Sequence, residues 1–197
     1  MEGIAQIDQQ VTLAINSLHC SLSDAVWMFF SNREVWIPLY VVVAVFLFLR
    51  LGWKKATMAV VALALTIVAC DQTANLLKFS VARLRPCHDG WMLERGLRAL
   101  EEPGGLYGFF SAHAANAFGF AVCSAMAFSC AGRRCRTFKW YQTLILLWAA
   151  LLGASRIFVG KHYLGDVLVG TLVGVFFGFL FGYVLRAICR CTGSDRL

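Results

Sequence analysis

Residues 163–188 read YLGDVLVGTLVGVFFGFLFGYVLRAI, and this run indicates the fold class of the protein. It is almost continuously apolar, and a helix needs about 20 such residues to cross the hydrocarbon core of a bilayer. Its one acidic residue, Asp166, stands near its beginning. This run therefore predicts a membrane-spanning helix that carries a polar motif at one end.

Four other apolar runs precede it, and the first and fourth reach spanning length only with their flanks. They are Trp36–Leu49, Ala56–Leu77, Ala112–Ala131 and Trp140–Ala154. The whole chain is 59% hydrophobic, whereas a soluble domain is about 45–50% apolar. We therefore predict an all-α membrane protein, a bundle of about five transmembrane helices.

The N-terminal segment is different in character. Apolar residues between positions 4 and 18 fall on one helical face, which is typical of an amphipathic helix in the membrane interface or covering the bundle. A second short helix is expected from Leu22 to Phe30. The predicted organisation is an interfacial segment at 1–34, a membrane catalytic domain at 35–190 and a cytoplasmic tail at 191–197. No signal peptide is apparent, so insertion is expected through the first span.

The positive charges indicate an orientation. Ten of the 18 Lys and Arg residues lie in three places, between runs one and two, between runs three and four, and after run five. They are Arg50, Lys54, Lys55, Arg133, Arg134, Arg136, Lys139, Arg186, Arg190 and Arg196. By the positive-inside rule these places are cytoplasmic. The net charge of +7 is thus interpreted as inner- or plasma-membrane topology, with no nucleic-acid partner expected.

Three polar motifs then fall together on the outward face. In the first, Lys78 and Arg85 are seven residues apart and share a helical face if the helix continues to Pro86. Both side chains suit phosphate oxygens. The alternative is that they are cations at the membrane interface whose stems lie along apolar surface.

The second motif begins the third span. Ser111 and His113 would lie at a helix N-terminus, where free backbone N–H groups and the helix dipole favour an anion. Alternatively, Ser111 is only an N-cap and His113 only an interfacial histidine.

The third motif runs from Ser155 to Asp166. Four residues separate His162 from Asp166, which places them on one face if both are helical. The carboxylate would then accept from Nδ1 of the imidazole and leave Nε2 free as a nucleophile or base. Arg156 adds a second guanidinium for phosphate.

Together these motifs resemble those of the type 2 phosphatidic acid phosphatases, the PAP2 superfamily, which is shared with vanadium haloperoxidases. That pattern is Lys-x6-Arg-Pro, then Pro-Ser-Gly-His, then Ser-Arg-x5-His-x3-Asp. The first and third motifs match fully. The second departs at Phe110, in place of proline, and at Ala112, in place of glycine.

The resemblance implies a role for each position. His162 would be the nucleophile that forms a phosphohistidine, Asp166 would orient it, and His113 would protonate the leaving oxygen and then activate water. No metal or other cofactor is implied. The phosphoryl oxygens would be held by Lys78, Arg85, Ser111, the N–H of Ala112, Arg156 and Gly160.

The expected function is removal of a terminal phosphate from a membrane lipid at the outer leaflet. Candidate substrates are undecaprenyl diphosphate, phosphatidic acid, phosphatidylglycerol phosphate and lipid A phosphates. The alternatives are vanadate-dependent peroxidase chemistry on the same residues, or a lipid-binding or transport protein without catalysis. The loop Cys87–Phe109 is a candidate lid or specificity element.

Two features of the sequence allow more than one interpretation. Asp71 lies inside an apolar run, where a carboxylate is costly; it either bonds a neighbouring helix, pairs with a cation of the site or has a function of its own. Cys20 and Cys87 are both expected outside the cytoplasm, so they could form a disulfide or remain free thiols.

Overall fold

A computed structural model describes residues 2–131 and 136–191 of the chain. Its described part contains eight α-helices and no β-strand, so the predicted all-α class is confirmed. The helices are α1 (Glu2–Asn16), α2 (Ser21–Ser31), α3 (Ile37–Leu51), α4 (Trp53–Val81), α5 (Gly90–Glu94), α6 (Ala112–Phe128), α7 (Arg136–Phe158) and α8 (Leu164–Cys191).

Four segments in the described ranges are long and apolar enough to cross a membrane. They are Glu34–Leu51, Trp53–Val81, Phe138–Phe158 and Leu164–Cys191. The remaining predicted span, α6, has 17 residues and is followed by a 3-10 turn at Ser129–Ala131. It lies at the low end of the usual range of about 17–25 residues. All five predicted runs are therefore helical, and α6 is the most enclosed, because α4, α7 and α8 all pack against it.

Glycines hold α6 and α8 close together. Gly170, Gly174, Gly178 and Gly182 recur every fourth residue and line one side of α8. A Cβ atom added at Gly174 would lie 2.2 Å from the carbonyl oxygen of Ala115 on α6. Small residues at this spacing let helix backbones approach inside a membrane. As a result the N-termini of the two helices lie side by side, and Ser111 N–H donates to the carbonyl of Asp166 over 3.0 Å.

Helix α1 has its polar side inward. Thr12 and Asn16 are almost fully buried, whereas Ile4 and Ile7 are 77% and 61% exposed. The Asn16 amide donates to the carbonyls of Arg98, Ile157 and Phe158, and so ties α1 to the loop and to the end of α7. Helix α1 therefore covers the bundle with its polar face and leaves its apolar face outward, as an interfacial helix requires.

Several expectations fall outside the described residues. They concern the tail at 192–197 with Arg196, and Arg133 and Arg134 between α6 and α7; of Arg136 only the backbone is described. Among the predicted cytoplasmic cations that are described, Arg50 and Lys54 flank the tight turn at Gly52 between α3 and α4, at the opposite end of the bundle from the polar motifs.

Candidate active site

The three polar motifs meet around one cavity of about 920 Å³. It opens between the C-terminal ends of α4 and α7 and the N-terminal end of α6, beside the turn that leads into α8. Six of the nine predicted site residues line it: Lys78, Arg85, Ala112, His113, Arg156 and His162. Ser111 and Asp166 are fully buried next to it, and Gly160 lies further along the α7–α8 turn.

The first motif is not a continuous helix, and that part of the prediction is wrong. Helix α4 ends at Val81 because Ala82 adopts a left-handed conformation, with φ of 47°, and closes the helix. From there the chain is extended, and Arg85 N–H donates to the carbonyl of Leu106 in the returning loop. Lys78 and Arg85 thus approach the cavity from a helix and from an extended segment, respectively.

The second motif forms the start of α6. Ser111 is its N-cap, and the Ser111 hydroxyl accepts from Ala114 N–H over 3.4 Å. Ala112 is the first helical residue and has no positive φ, so the alanine fits where the family pattern has glycine. Phe110, in place of proline, is completely buried against Cys70, Ala74 and Ala115. The helix start therefore accommodates Ala112, and packing against α4 and α6 accommodates Phe110.

The third motif brings His162 to Asp166, but by a different local structure from the one predicted. Helix α8 begins at Leu164, so His162 lies in the turn before it. Asp166 reaches back instead: its Oδ2 accepts Tyr163 N–H over 3.2 Å and lies 3.5 Å from His162 Nδ1. That separation exceeds an ordinary hydrogen bond, and Nδ1 makes no hydrogen bond within the described residues.

His162 is buried among cations. Burial is the main cause that lowers the pKa of its imidazole well below the ordinary value of 6.5, and the positive charges of Arg156, Arg85 and Lys78 lower it further. The ring is consequently neutral at physiological pH, with an unprotonated nitrogen available for nucleophilic attack.

Arg156 is buried and already has an acidic neighbour. Its Nη1 lies 3.4 Å from Oε2 of Glu101 and also donates to the hydroxyl of Ser31. Lys161 Nζ lies 4.0 Å from the same Glu101 oxygen. The carboxylate of Glu101, from the loop between α4 and α6, therefore lies between two cations at the edge of the cavity.

Gly160 has a structural reason to be glycine. Its φ is 75°, and an added Cβ would lie 2.8 Å from the carbonyl oxygen of Arg98. Gly160 thus allows the α7–α8 turn to pack on the loop Cys87–Phe109. Within the described residues it is not part of the cavity wall.

Asp71 makes the interhelical bond that the sequence left as one alternative. Asn116 on α6 donates to its Oδ1 over 2.9 Å. Asp71 also lines the cavity, as do Asn75 on the same helix and the aromatic rings of Trp36 and Tyr40. Cys20 and Cys87, by contrast, are both free thiols.

Sequence reasoning missed three residues of the site region. Arg83 bonds Asp166, Asp8 bonds Arg83, and Glu101 contacts Arg156. A signal existed for Arg83, which lies inside the first motif two residues before Arg85. Asp8 and Glu101 had none, because they are remote in sequence and surrounded by ordinary polar residues.

The comparisons with known proteins agree with this geometry. A sequence model of the PAP2 superfamily matches residues 55–188. A lipid A 4'-phosphatase of Bacteroides thetaiotaomicron is 34% identical over 179 residues, which cover 87% of this chain and 74% of that protein. A lipid A 4'-phosphatase of Porphyromonas gingivalis is 28% identical over 171 residues, covering 86% of this chain and 69% of that protein.

Two solved structures share the fold. The PAP2-type phosphatidylglycerolphosphate phosphatase of Bacillus subtilis superposes with a TM-score of 0.75 at 18% identity, covering 95% of this chain and 89% of that one. LpxE of Aquifex aeolicus gives a TM-score of 0.65 at 26% identity, covering 87% and 92%. With the family pattern matched over most of its length, this chain belongs to the PAP2 superfamily, as a membrane-embedded lipid phosphatase.

Proposed function

We propose that this protein removes a phosphate monoester from a saccharide-headed membrane lipid of the lipid A type, at the outer leaflet, through a phosphohistidine on His162. The observation that carries the proposal is the single cavity onto which a neutral buried histidine, a second histidine and three phosphate-binding cations converge. A protein catalyses phosphoryl transfer mainly by positioning the reacting groups and by stabilising negative charge on the equatorial oxygens.

In the first step the phosphate is bound by Lys78, Arg85 and Arg156, whose donors suit its oxygens. The N-terminus of α6 adds the N–H of Ala112 and the hydroxyl of Ser111, which retains its proton for donation. Gly160 shapes the turn and does not bind phosphate in this proposal.

Chemistry then follows from the two histidines. Nε2 of neutral His162 attacks phosphorus, the N–P bond forms, and the bond from phosphorus to the lipid oxygen breaks. The bound phosphate enters as the monoanion and passes its proton to His113, which delivers it to the lipid oxygen, and that oxygen leaves as the lipid alcohol. Neutral again, His113 takes a proton from water, which attacks phosphorus, breaks the N–P bond and releases inorganic phosphate.

The cavity supports a sugar-bearing substrate. It extends beyond the phosphate-binding residues to Asp71, which precedes Lys78 by two helical turns on α4, about 10 Å along the axis. Asp71 already accepts from Asn116 through Oδ1, and a carboxylate has capacity to accept from a further donor on a substrate. Sugar hydroxyl and amide groups are donors, whereas phosphatidic acid and undecaprenyl diphosphate carry only acceptors next to the phosphate. The lipid A 4'-phosphatases among the relatives act on such a sugar lipid.

The test is phosphate release from four purified lipids in detergent micelles with a metal chelator present. The expected order puts lipid A bisphosphate ahead of phosphatidylglycerol phosphate, phosphatidic acid and undecaprenyl diphosphate, and His162→Ala should lose activity by about 10⁴-fold or more. Asp71→Asn keeps the size of the side chain but adds a hydrogen-bond donor. It should reduce the ratio of the rate on lipid A bisphosphate to the rates on the other three lipids. Activity that survives in His162→Ala would reject the mechanism, and faster release from phosphatidic acid would reject the substrate.

The leaflet is tested separately by cysteine labelling in intact cells. Glu102 is exposed beside the cavity and Lys54 is exposed at the opposite end of the bundle. In a background without the exposed thiols Cys20 and Cys191, Glu102→Cys should react with a membrane-impermeant maleimide and Lys54→Cys should not. The reverse pattern would place the active site in the cytoplasm.

A further inference from the structure

A chain of charged side chains leads from the nucleophile to the N-terminal helix. Asp166 is fully buried, and its two carboxylate oxygens have separate partners. Oδ2 faces the His162 imidazole and the Tyr163 N–H. Oδ1 accepts from Nη1 of Arg83 over 3.1 Å. The guanidinium of Arg83 therefore fixes the rotation of the carboxylate that faces His162.

Arg83 is itself held on its other side. Its Nη2 donates to Oδ2 of Asp8 over 2.7 Å, and its Cζ lies 3.8 Å from the centre of the Tyr163 ring. An Arg that bridges two carboxylates and stacks on an aromatic face has little freedom to turn. Arg83 thus transmits the position of Asp8 to Asp166.

Asp8 belongs to α1 and also binds the start of α8. Its Oδ1 accepts Gly165 N–H over 2.8 Å, and Thr12, one turn further along α1, accepts Leu164 N–H over 2.9 Å. Both N–H groups belong to the first turn of α8, which has no helical partners for them. The contact is tight, because a Cβ at Gly165 would lie 2.7 Å from Asp8 Oδ2.

From these contacts we propose that Asp8 and Arg83 are positioning residues for the His162–Asp166 pair, and that α1 is a working part of the active site. The proposal rests on the proposed role of His162 as nucleophile. Without Arg83, the buried Asp166 carboxylate keeps, among the described residues, the Tyr163 N–H as its one hydrogen-bond donor, while His162 Nδ1 lies 3.5 Å away. A buried charge with too few partners turns or becomes protonated. His162 then loses the group that orients its ring.

The ion pair between Asp24 and Arg98 provides a matched control. Asp24 lies on α2, Arg98 lies in the loop, and their side chains approach to 2.5 Å. This pair also joins the N-terminal segment to the rest of the protein, but it does not reach Asp166. Replacing it removes the same chemistry without disturbing the path to His162.

The experiment measures kcat and KM for lipid A bisphosphate in micelles with Arg83→Gln, Asp8→Asn and the double variant, beside Asp24→Asn and Arg98→Gln. Arg83→Gln is expected to lower kcat by about 10–100-fold, by analogy with the loss of the partners that orient metal-ligating side chains, with KM nearly unchanged. Asp8→Asn should lower kcat less. The double variant should be no worse than Arg83→Gln, because both changes interrupt one path. The control variants should keep kcat.

Chemical rescue separates positioning from folding. Arg83 is partly exposed, so millimolar guanidinium should restore part of the kcat of Arg83→Ala and should leave Arg98→Ala unaffected. Four results would overturn the proposal. Arg83→Gln could keep full kcat, the Asp24 and Asp8 variants could lose equal activity, or the losses could add in the double variant. Guanidinium could also fail to rescue an Arg83→Ala protein that unfolds at the normal temperature. An active His162→Ala would reject the nucleophile instead, so the two failures are distinguishable.

Discussion

Substituting a single glycine deep in the bundle tests whether the approach of α6 to α8 positions the catalytic groups. A Cβ at Gly174 would lie 2.2 Å from the carbonyl oxygen of Ala115, whereas ordinary contacts begin at 3.4 Å. Gly174→Ala therefore requires the two helices to separate by about 1.2 Å. The partner atom belongs to helix backbone, so a side-chain rotation cannot relieve the clash.

Two consequences of that separation can be estimated. Overpacking of a tight interior site costs about 1–3 kcal/mol of the free energy of unfolding. The start of α6 carries His113 and the start of α8 carries Asp166. A displacement of about 1 Å between groups that must act together lowers a rate by about 100-fold.

The assay is kcat on lipid A bisphosphate together with the unfolding temperature in detergent, with Gly153→Ala as the control. A Cβ at Gly153 would meet its nearest neighbour, Cγ1 of Val167, at 3.4 Å. Alanine is also the better helix former, by up to about 1 kcal/mol. Gly153→Ala should thus be neutral or stabilising and fully active. A Gly174→Ala protein with normal kcat and normal stability would refute the packing argument.

Two further predictions concern charge. Glu101→Gln should lower the KM for phosphorylated lipid by up to about 5-fold, because the substrate no longer competes for buried Arg156 with a carboxylate whose long 3.4 Å contact is worth about 1 kcal/mol. An unchanged or higher KM would mean that Glu101 does not compete. The second concerns the imidazole of His162, which should remain neutral in ¹⁵N-histidine spectra at pH 6.0, because its pKa lies well below 6.5. By linkage, the unfolded chain takes up the proton first, so this group reduces stability as the pH falls below 6.5 and has its full stabilising effect above it. A His162 signal that titrates at or above pH 6.5 would contradict its burial among cations.

The helical spans could be predicted because hydrophobicity alone determines them. All five apolar runs became helices, and each motif lay at the end of a run, so their meeting at one end of the bundle followed from the alternation of spans. The resemblance to the PAP2 superfamily rested on the first and third motifs and is confirmed by the comparisons.

Local backbone conformation was less accessible. Nothing in the residues before Pro86 indicates that Ala82 ends α4 in a left-handed conformation, since alanine is the best helix former. The spacing of His162 and Asp166 also suggested a shared helical face, but α8 begins only at Leu164. They meet because Asp166 reaches back to the turn before α8, and helical registry between them plays no part.

Helix α1 shows what pattern reasoning omits. Its amphipathic pattern was recognised, but in a membrane protein the buried face of an interfacial helix can be the polar one, because lipid can receive the apolar face. Asp8, Thr12 and Asn16 consequently lie against the first turn of α8 and the loop between α4 and α6. Such long-range contacts depend on the folded arrangement and leave no local signal.

The most direct test of the central claim is isolation of the phosphoenzyme. The His113→Gln variant is given p-nitrophenyl phosphate, whose nitrophenolate leaves without protonation by an acid. Hydrolysis of the phosphoenzyme still needs His113 as a base, so the phosphoenzyme should accumulate. After an alkaline quench, mass spectrometry should find a base-stable, acid-labile phosphate on His162, and none when His162→Ala is added. Phosphate on any other residue would contradict a phosphohistidine on His162. So would turnover without a phosphoenzyme in which the configuration at phosphorus is inverted, because inversion indicates a single direct displacement by water.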